Sequence, residues 1–169
     1  ADDCPTIVTA AMISANSAAS MIDFLFSGVL HRYPGLKLMY AESQIGWIPY
    51  YLERADDNYK THLWAQGEER LPEPPSHYYY RQIYSCFFKD SAGMKLLDEV
   101  GVDNVLFETD YPHQDGTFPE SRQVAERLFG HAQADVIGRN VKMLMPNPDR
   151  RQHDGYLENY RSTGKRKVI

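Results

Sequence analysis

The stretch Val105-Leu106-Phe107-Glu108-Thr109-Asp110-Tyr111-Pro112-His113 decides how the chain reads. It opens as an apolar, β-prone run and then changes to acid, hydroxyl, acid, aromatic, proline and histidine. A strand that gives way to polar side chains at a proline-fixed turn can hold chemistry on a rigid support. Asp110 and His113 fall just where that strand should stop. A carboxylate and an imidazole placed there can bind a metal or move a proton. They can equally be a turn-capping aspartate and a solvated loop histidine, and these residues alone leave both readings open.

Upstream, the same alternation of apolar run and polar edge recurs. Tyr78 to Phe88 is aromatic and β-prone, with Ile83-Tyr84-Ser85-Cys86-Phe87 as strand core and Lys89-Asp90 at its end. Asp90 or Ser91 can cap a short helix carrying Met94, Leu96, Leu97 and Val100, which Gly101 stops. Leu36 to Ala41 reads as a strand ending in Glu42 and Ser43, followed by a helix from Trp47 to about His62 with Pro49 in its first turn. Before it, Met21, Ile22, Leu25, Phe26, Val29 and Leu30 recur at helical spacing, with Asn16 or Ser17 as the cap and Tyr33-Pro34-Gly35 as the stop. Thr6-Ile7-Val8-Thr9 is β-prone but short. Gly67 to Ser76, with Pro72, Pro74 and Pro75, reads as a loop, polyproline-like in part.

Downstream, Gly116 to Pro119 reads as a loop, Ser121 to Leu128 as a helix, and Ala134 to Met145 as a second, ended by Pro146 and Pro148. Little apolar content follows Asp149, which predicts an extended tail over 149–169 after a domain over 1–148. Strands alternating with helices indicate parallel βαβ units with right-handed crossovers. The polar edges Glu42-Ser43, Lys89-Asp90 and Asp110-His113 then share one face, where such folds keep their ligand site.

The 169 residues suit one domain with a real core. The net charge of -5 argues against nucleic acid as the main partner. The charge is uneven, because Arg150, Arg151, Arg161, Lys165, Arg166 and Lys167 crowd the tail against Asp149, Asp154 and Glu158. No apolar run is long enough for a membrane span and no signal peptide is evident. Cys4 and Cys86 form neither a disulfide framework nor a zinc site, which suits a reducing cytoplasm. The chain begins at Ala1 without a methionine, so it reads as processed or as a piece of something longer.

Several segments together resemble the amidohydrolase-related family, in its aminocarboxymuconate-semialdehyde-decarboxylase-like branch. Phe26 to Lys37 is similar to a helix-to-strand junction of that family. Ala41-Glu42 through Gly46-Trp47-Ile48-Pro49-Tyr50 and Leu52-Glu53-Arg54 is similar to the next. Glu108 to His113 resembles the final barrel strand and Gly138-Arg139-Asn140 the closing helix, so the resemblance runs roughly from Asp23 to Met145.

The resemblance implies the C-terminal part of a (β/α)8 barrel, with a divalent metal, zinc or manganese, at the strand ends. It implies Asp110 as metal ligand and proton acceptor. His113, Glu42, Tyr111 and Trp47 become contacts of a small carboxylated or cyclic substrate, and dimerisation is expected.

Two departures stand out. Glu42 occupies a strand end where the family commonly has histidine, so it is either a functional carboxylate or a structural partner for an arginine or helix end. A complete barrel needs about 250 residues, and no His-x-His occurs here; His31, His62, His77, His131 and His153 are isolated. Asp110 and His113 are by themselves too few for a zinc site. Two functions follow: part of a metal-dependent hydrolase or decarboxylase, or a truncated, non-catalytic α/β module that binds a partner or assembles through its open sheet edges, with itself or with a missing N-terminal half.

Overall fold

Ile83-Tyr84-Ser85-Cys86-Phe87 is buried at every position except the half-buried Tyr84, as a central parallel strand is. In the computed structural model, which describes residues 5–65, 71–144 and 149–164, this segment is β2 (Ile83–Phe87), the centre of a parallel sheet. β1 (Leu38–Tyr40) flanks it with Leu38 opposite Ile83 and Tyr40 opposite Ser85. β3 (Val105–Phe107) lies on the other side, with Ser85 opposite Val105 and Phe87 opposite Phe107. The three strands expected from the sequence are therefore present, parallel and in order β1-β2-β3.

Strand alternation puts Leu38, Tyr40, Ile83, Ser85, Phe87, Val105 and Phe107 on one face and Met39, Tyr84, Cys86 and Leu106 on the other. The first face is covered: the Tyr40 hydroxyl shares a 3.2 Å hydrogen bond with Ser20 of α2 (Ile13–Phe26). On the second, Met39 and Leu106 remain 63% and 42% exposed.

The chain divides into two compact units, Ala1–Phe118 and Pro119–Ile169. In the first, α1 (Thr6–Ala11) and α2 precede α3 (Val29–Arg32), and α4 (Ile48–Thr61) follows β1. α5 (Pro75–Gln82) leads into β2, and α6 (Leu97–Val100) lies between β2 and β3. Ala18, Met21 and Leu25 bury one stripe of α2, and Ile48, Leu52, Ala55 and Tyr59 one stripe of α4, as helical spacing requires.

Local expectations fail where local propensity meets tertiary demands. Thr6 to Thr9, β-prone by composition, is helical and exposed, since no strand is there to pair with it. α2 starts at Ile13 rather than at Asn16 or Ser17, because the alanine-rich run carries the helix upstream. Tyr78 to Gln82 belongs to α5 instead of a strand, and the helix also takes in Ser76 from the expected loop. Pro75 opens this helix in its first turn, and Ser76 is tied to the Asp56 carboxylate by its N–H (2.9 Å) and hydroxyl (2.6 Å). Tyr78, Tyr79 and Gln82 point inward at helical spacing, and the Gln82 side-chain amide donates to the carbonyls of Tyr33 (3.0 Å) and Leu36 (3.1 Å).

Asn104 performs a similar service before β3. Its buried amide donates to the carbonyls of Tyr79 (3.3 Å), Tyr80 (3.1 Å) and Ile83 (2.7 Å), closing the C-terminal end of α5. Asn104→Ala is expected to cost about 2 kcal/mol by urea denaturation, since it strands buried carbonyls. A midpoint equal to that of the parent chain would contradict this role.

The second unit contains α7 (Ser121–Phe129), α8 (Gln133–Val136) and α9 (Asp149–Thr163). The helix expected over 134–145 is broken at Gly138, whose φ of 75° leaves the helical region; a 3-10 turn at Val141–Leu144 follows. Met145, Pro146 and Pro148 lie outside the described residues, as do Gly67 to Arg70 and Cys4. The expected extended tail is a correction: Asp149–Thr163 is helical. Sparse apolar content predicts exposure rather than loss of helix, and Lys142 anchors this helix at Asp154 (2.5 Å). That ion pair holds the Asp154 carboxyl below its ordinary value. Among the described residues no helix is long and apolar enough to cross a membrane.

Candidate metal centre

Each parallel strand delivers a carboxylate to the same edge of the sheet. After β1 the backbone turns through left-handed conformations at Glu42 (φ 55°) and Gln44 (φ 57°). Non-glycine residues enter that region only where surroundings hold them there. The buried Ser43 donates its hydroxyl to the Tyr40 carbonyl (3.2 Å), and the Trp47 indole N–H donates to the Ser43 carbonyl (2.8 Å).

After β2, Asp90 accepts the N–H groups of Ile45 (2.8 Å) and Gly46 (2.6 Å) on one oxygen and that of Gly93 (2.7 Å) on the other. One carboxylate thus joins the loops after β1 and β2. The approach is close enough that a Cβ on Gly93 would sit 2.4 Å from Ile45 and 2.8 Å from the Gly46 nitrogen.

After β3, the Glu108 N–H continues the ladder to the Phe87 carbonyl (3.0 Å), and its carboxylate accepts the Glu42 N–H (2.7 Å). Asp110 is again left-handed (φ 53°). Its carboxylate meets Nδ1 of His113 at 2.8 Å, and its carbonyl accepts the His113 N–H at 2.8 Å. This hydrogen bond fixes the imidazole and, with the Asp110 charge adding to it, raises the His113 pKa above its ordinary value. Tyr111–Pro112 is a cis peptide within this turn.

Donor atoms of Glu42, Asp110 and His113 all lie within 4.8 Å of one another. Two carboxylate oxygens and an imidazole nitrogen are a donor set that suits zinc or manganese. Glu108 adds a third acid. Burial pushes its carboxyl above the usual range, and the charges of Glu42 and Asp110 add to this while the Glu42 N–H opposes it. Beneath it, burial and the neighbouring Glu108 drive the Cys86 thiol up to about 11, so Cys86 is not a nucleophile here. An edge that gathers this much negative charge fits a divalent cation.

A family model described as Amidohydrolase matches residues 4–149. The chain belongs to the amidohydrolase family. An amidohydrolase from Mycobacterium avium subsp. paratuberculosis K-10 superposes with a TM-score of 0.59 at 22% identity, covering 73% of this chain and 30% of that one. The 5-carboxyvanillate decarboxylase LigW from Sphingomonas paucimobilis superposes with a TM-score of 0.52 at 21% identity, covering 70% and 41%. These likenesses establish the fold: three parallel strands with flanking helices as part of a (β/α)8 barrel. A segment of 45 residues is 51% identical to the sensor protein FixL of Bradyrhizobium diazoefficiens, covering 27% of this chain and 9% of that protein. The match therefore covers less than half the length of each of these proteins.

Of the amidohydrolase residues singled out from sequence, the structure brings together Asp110, His113 and Glu42. The isolated histidines of the first unit do not join them: His31 lies in α3, His62 caps α4 and His77 is in α5; His131 and His153 belong to the second unit. Tyr111 is 65% exposed and packs its ring on Phe118, whereas Trp47 anchors the turn after β1 and stacks edge-on against Tyr51. Glu108 had no role assigned from sequence. Its signal was the two-residue spacing from Asp110, which places both acids on one face of an extended segment.

Proposed function

We propose that this chain carries part of the active site of a metal-dependent hydrolase or decarboxylase, of the aminocarboxymuconate-semialdehyde-decarboxylase-like branch, acting on a small carboxylated or cyclic substrate. The observation that carries the reading is the convergence of Glu42, Asp110 and His113 at the C-terminal edge of parallel strands. Asp110 would hold the metal, with Glu42 and His113 completing the donors or facing the substrate from the pocket wall. A bound zinc or manganese ion supplies Lewis acidity toward a substrate oxygen. The side chains do the rest. Asp110 orients the His113 ring through Nδ1, leaving Nε2 to bond a substrate carboxylate or carry a proton to it. Tyr111, exposed beside the turn, offers an aromatic surface to a ring. The decarboxylase among the solved neighbours acts on a carboxylated aromatic substrate by its name, which agrees with this substrate class. The buried free thiol of Cys86 suits a cytoplasmic setting.

Metal analysis of the purified chain tests the reading. Stoichiometric zinc or manganese that is lost in Asp110→Ala is expected. A folded chain that takes up neither metal would sink it.

A non-catalytic reading has its own observation, the two open edges β1 and β3 with Met39 and Leu106 exposed beside them. A folded, metal-free chain that self-associates, as a homodimer or larger, would favour that reading.

A further inference from the structure

We propose that Glu108 is a positioning residue that sets Glu42 over Asp110 and His113, an inference that rests on the metal-site reading above. Glu108 follows β3 and Glu42 follows β1, with β2 between them. Neighbouring strands lie about 4.8 Å apart, so the two outer strands are separated by roughly 10 Å. The Glu108 carboxylate nevertheless takes the Glu42 N–H at 2.7 Å. It crosses the end of β2 above Cys86, on the sheet face that carries Leu106.

The contact falls at the peptide where it has most leverage. Glu42 sits in the left-handed region, which is unfavourable for a non-glycine residue. In that conformation the N–H points toward β3, and a partner for it stabilises the turn that carries the Glu42 side chain to within 4.8 Å of the Asp110 and His113 donors. On the other side of the same turn, Asp90 holds the N–H groups of Ile45 and Gly46. The loop after β1 is therefore pinned at both ends by carboxylates from the two following strands. Asp90 fixes where the loop lies, and Glu108 fixes which way Glu42 faces. Glu108 acts through its neighbour, because its bonding oxygen is already committed to the Glu42 peptide.

The variants Glu108→Gln and Glu108→Leu separate this role from that of charge. Both remove the negative charge, but only glutamine keeps an oxygen acceptor for the Glu42 N–H. Zinc affinity by titration calorimetry, the urea midpoint, and amide hydrogen exchange at Glu42 are read on the purified chain. Glu108→Leu is expected to bind zinc about 10-fold or more weaker than Glu108→Gln, the scale on which supporting partners of ligands act. Its Glu42 amide should exchange faster, and Glu108→Gln should restore the protection. Equal zinc affinities in the two variants, or an unchanged Glu42 amide in Glu108→Leu, would overturn the proposal. Should Glu108→Leu not fold, Glu108→Gln decides: a protected Glu42 amide supports the clamp, and an unprotected one overturns it. A parent chain that binds no zinc removes the metal reading, and amide exchange in the same variants then accepts or rejects the clamp separately.

Discussion

Asp90→Ala is expected to destabilise the first unit by about 3–5 kcal/mol, the summed effect of losing charge-assisted hydrogen bonds to Ile45, Gly46 and Gly93. Each such bond contributes roughly 1.5–3 kcal/mol, and the expected loss falls at or below the low end of their sum because the carboxylate is only partly buried and water can reach some of the stranded N–H groups. No other side chain can replace Asp90 easily. Gly46 and Gly93 approach so closely that a Cβ on Gly46 would lie 3.0 Å from the carboxylate. Asp90→Asn separates the contributions. It keeps one oxygen but replaces the other with an N–H2 facing backbone donors, so it should recover less than half of the loss. Urea unfolding of the three proteins checks the order parent, asparagine, alanine. A parent-like midpoint for Asp90→Ala would show that the two loops are held by other contacts. Because the first of those loops carries Glu42, metal affinity should fall in the same order.

The sheet was legible in the sequence because strand signal and tertiary role agree there. Ile83 to Phe87 sets β-branched Ile83 and aromatic Tyr84 and Phe87 around the small Ser85 and Cys86, and it is the central strand. The change to acidic residues at Glu42 and Glu108 marked roughly where β1 and β3 end, although β1 begins later than the run from Leu36 suggested. Helix α5 was not legible, since Tyr78 to Tyr80 carry strong β propensity and only the spacing of Tyr78, Tyr79 and Gln82 reveals a helix. Tertiary bonds from Asp56 to Ser76 then fix the choice. Composition likewise failed at Asp149–Thr163, because a polar helix and a polar tail share one signature. For the site, Asp110 and His113 were visible as a local motif. Their meeting with Glu42, sixty-odd positions upstream, depends on strand order and register, which no local window contains. Glu108 shows the same limit. Its neighbour Asp110 was conspicuous beside a proline and a histidine, while the partner that defines Glu108 is a backbone N–H on another strand end.

Gly116→Ala should cost about 3 kcal/mol and remove most of the metal affinity, although it adds a single methyl group. A Cβ at Gly116 would lie 2.5 Å from the Thr109 carbonyl oxygen and 2.9 Å from that of Asp110. These are backbone atoms, so no side chain can rotate away. The loop is also closed on itself: Thr117 donates its N–H to the Thr109 carbonyl (2.9 Å) and Gly116 donates to the His113 carbonyl (3.2 Å). The methyl group can be accommodated only by pushing Gly116 outward, which breaks the Thr117 bond, or by displacing the peptides of Thr109 and Asp110. The second route moves the left-handed Asp110 and with it the 2.8 Å contact to His113. Both routes spoil the convergence with Glu42, because the donors are already spread over as much as 4.8 Å and have little slack. Denaturation and zinc titration on Gly116→Ala should therefore show a lower midpoint together with at least roughly tenfold weaker binding, the scale of a lost supporting contact. Weaker zinc binding without a change in midpoint would mean that the loop yields outward and that stability resides elsewhere. A lower midpoint with parent-like affinity would mean that Asp110 is held by β3 alone, independently of the loop that follows it.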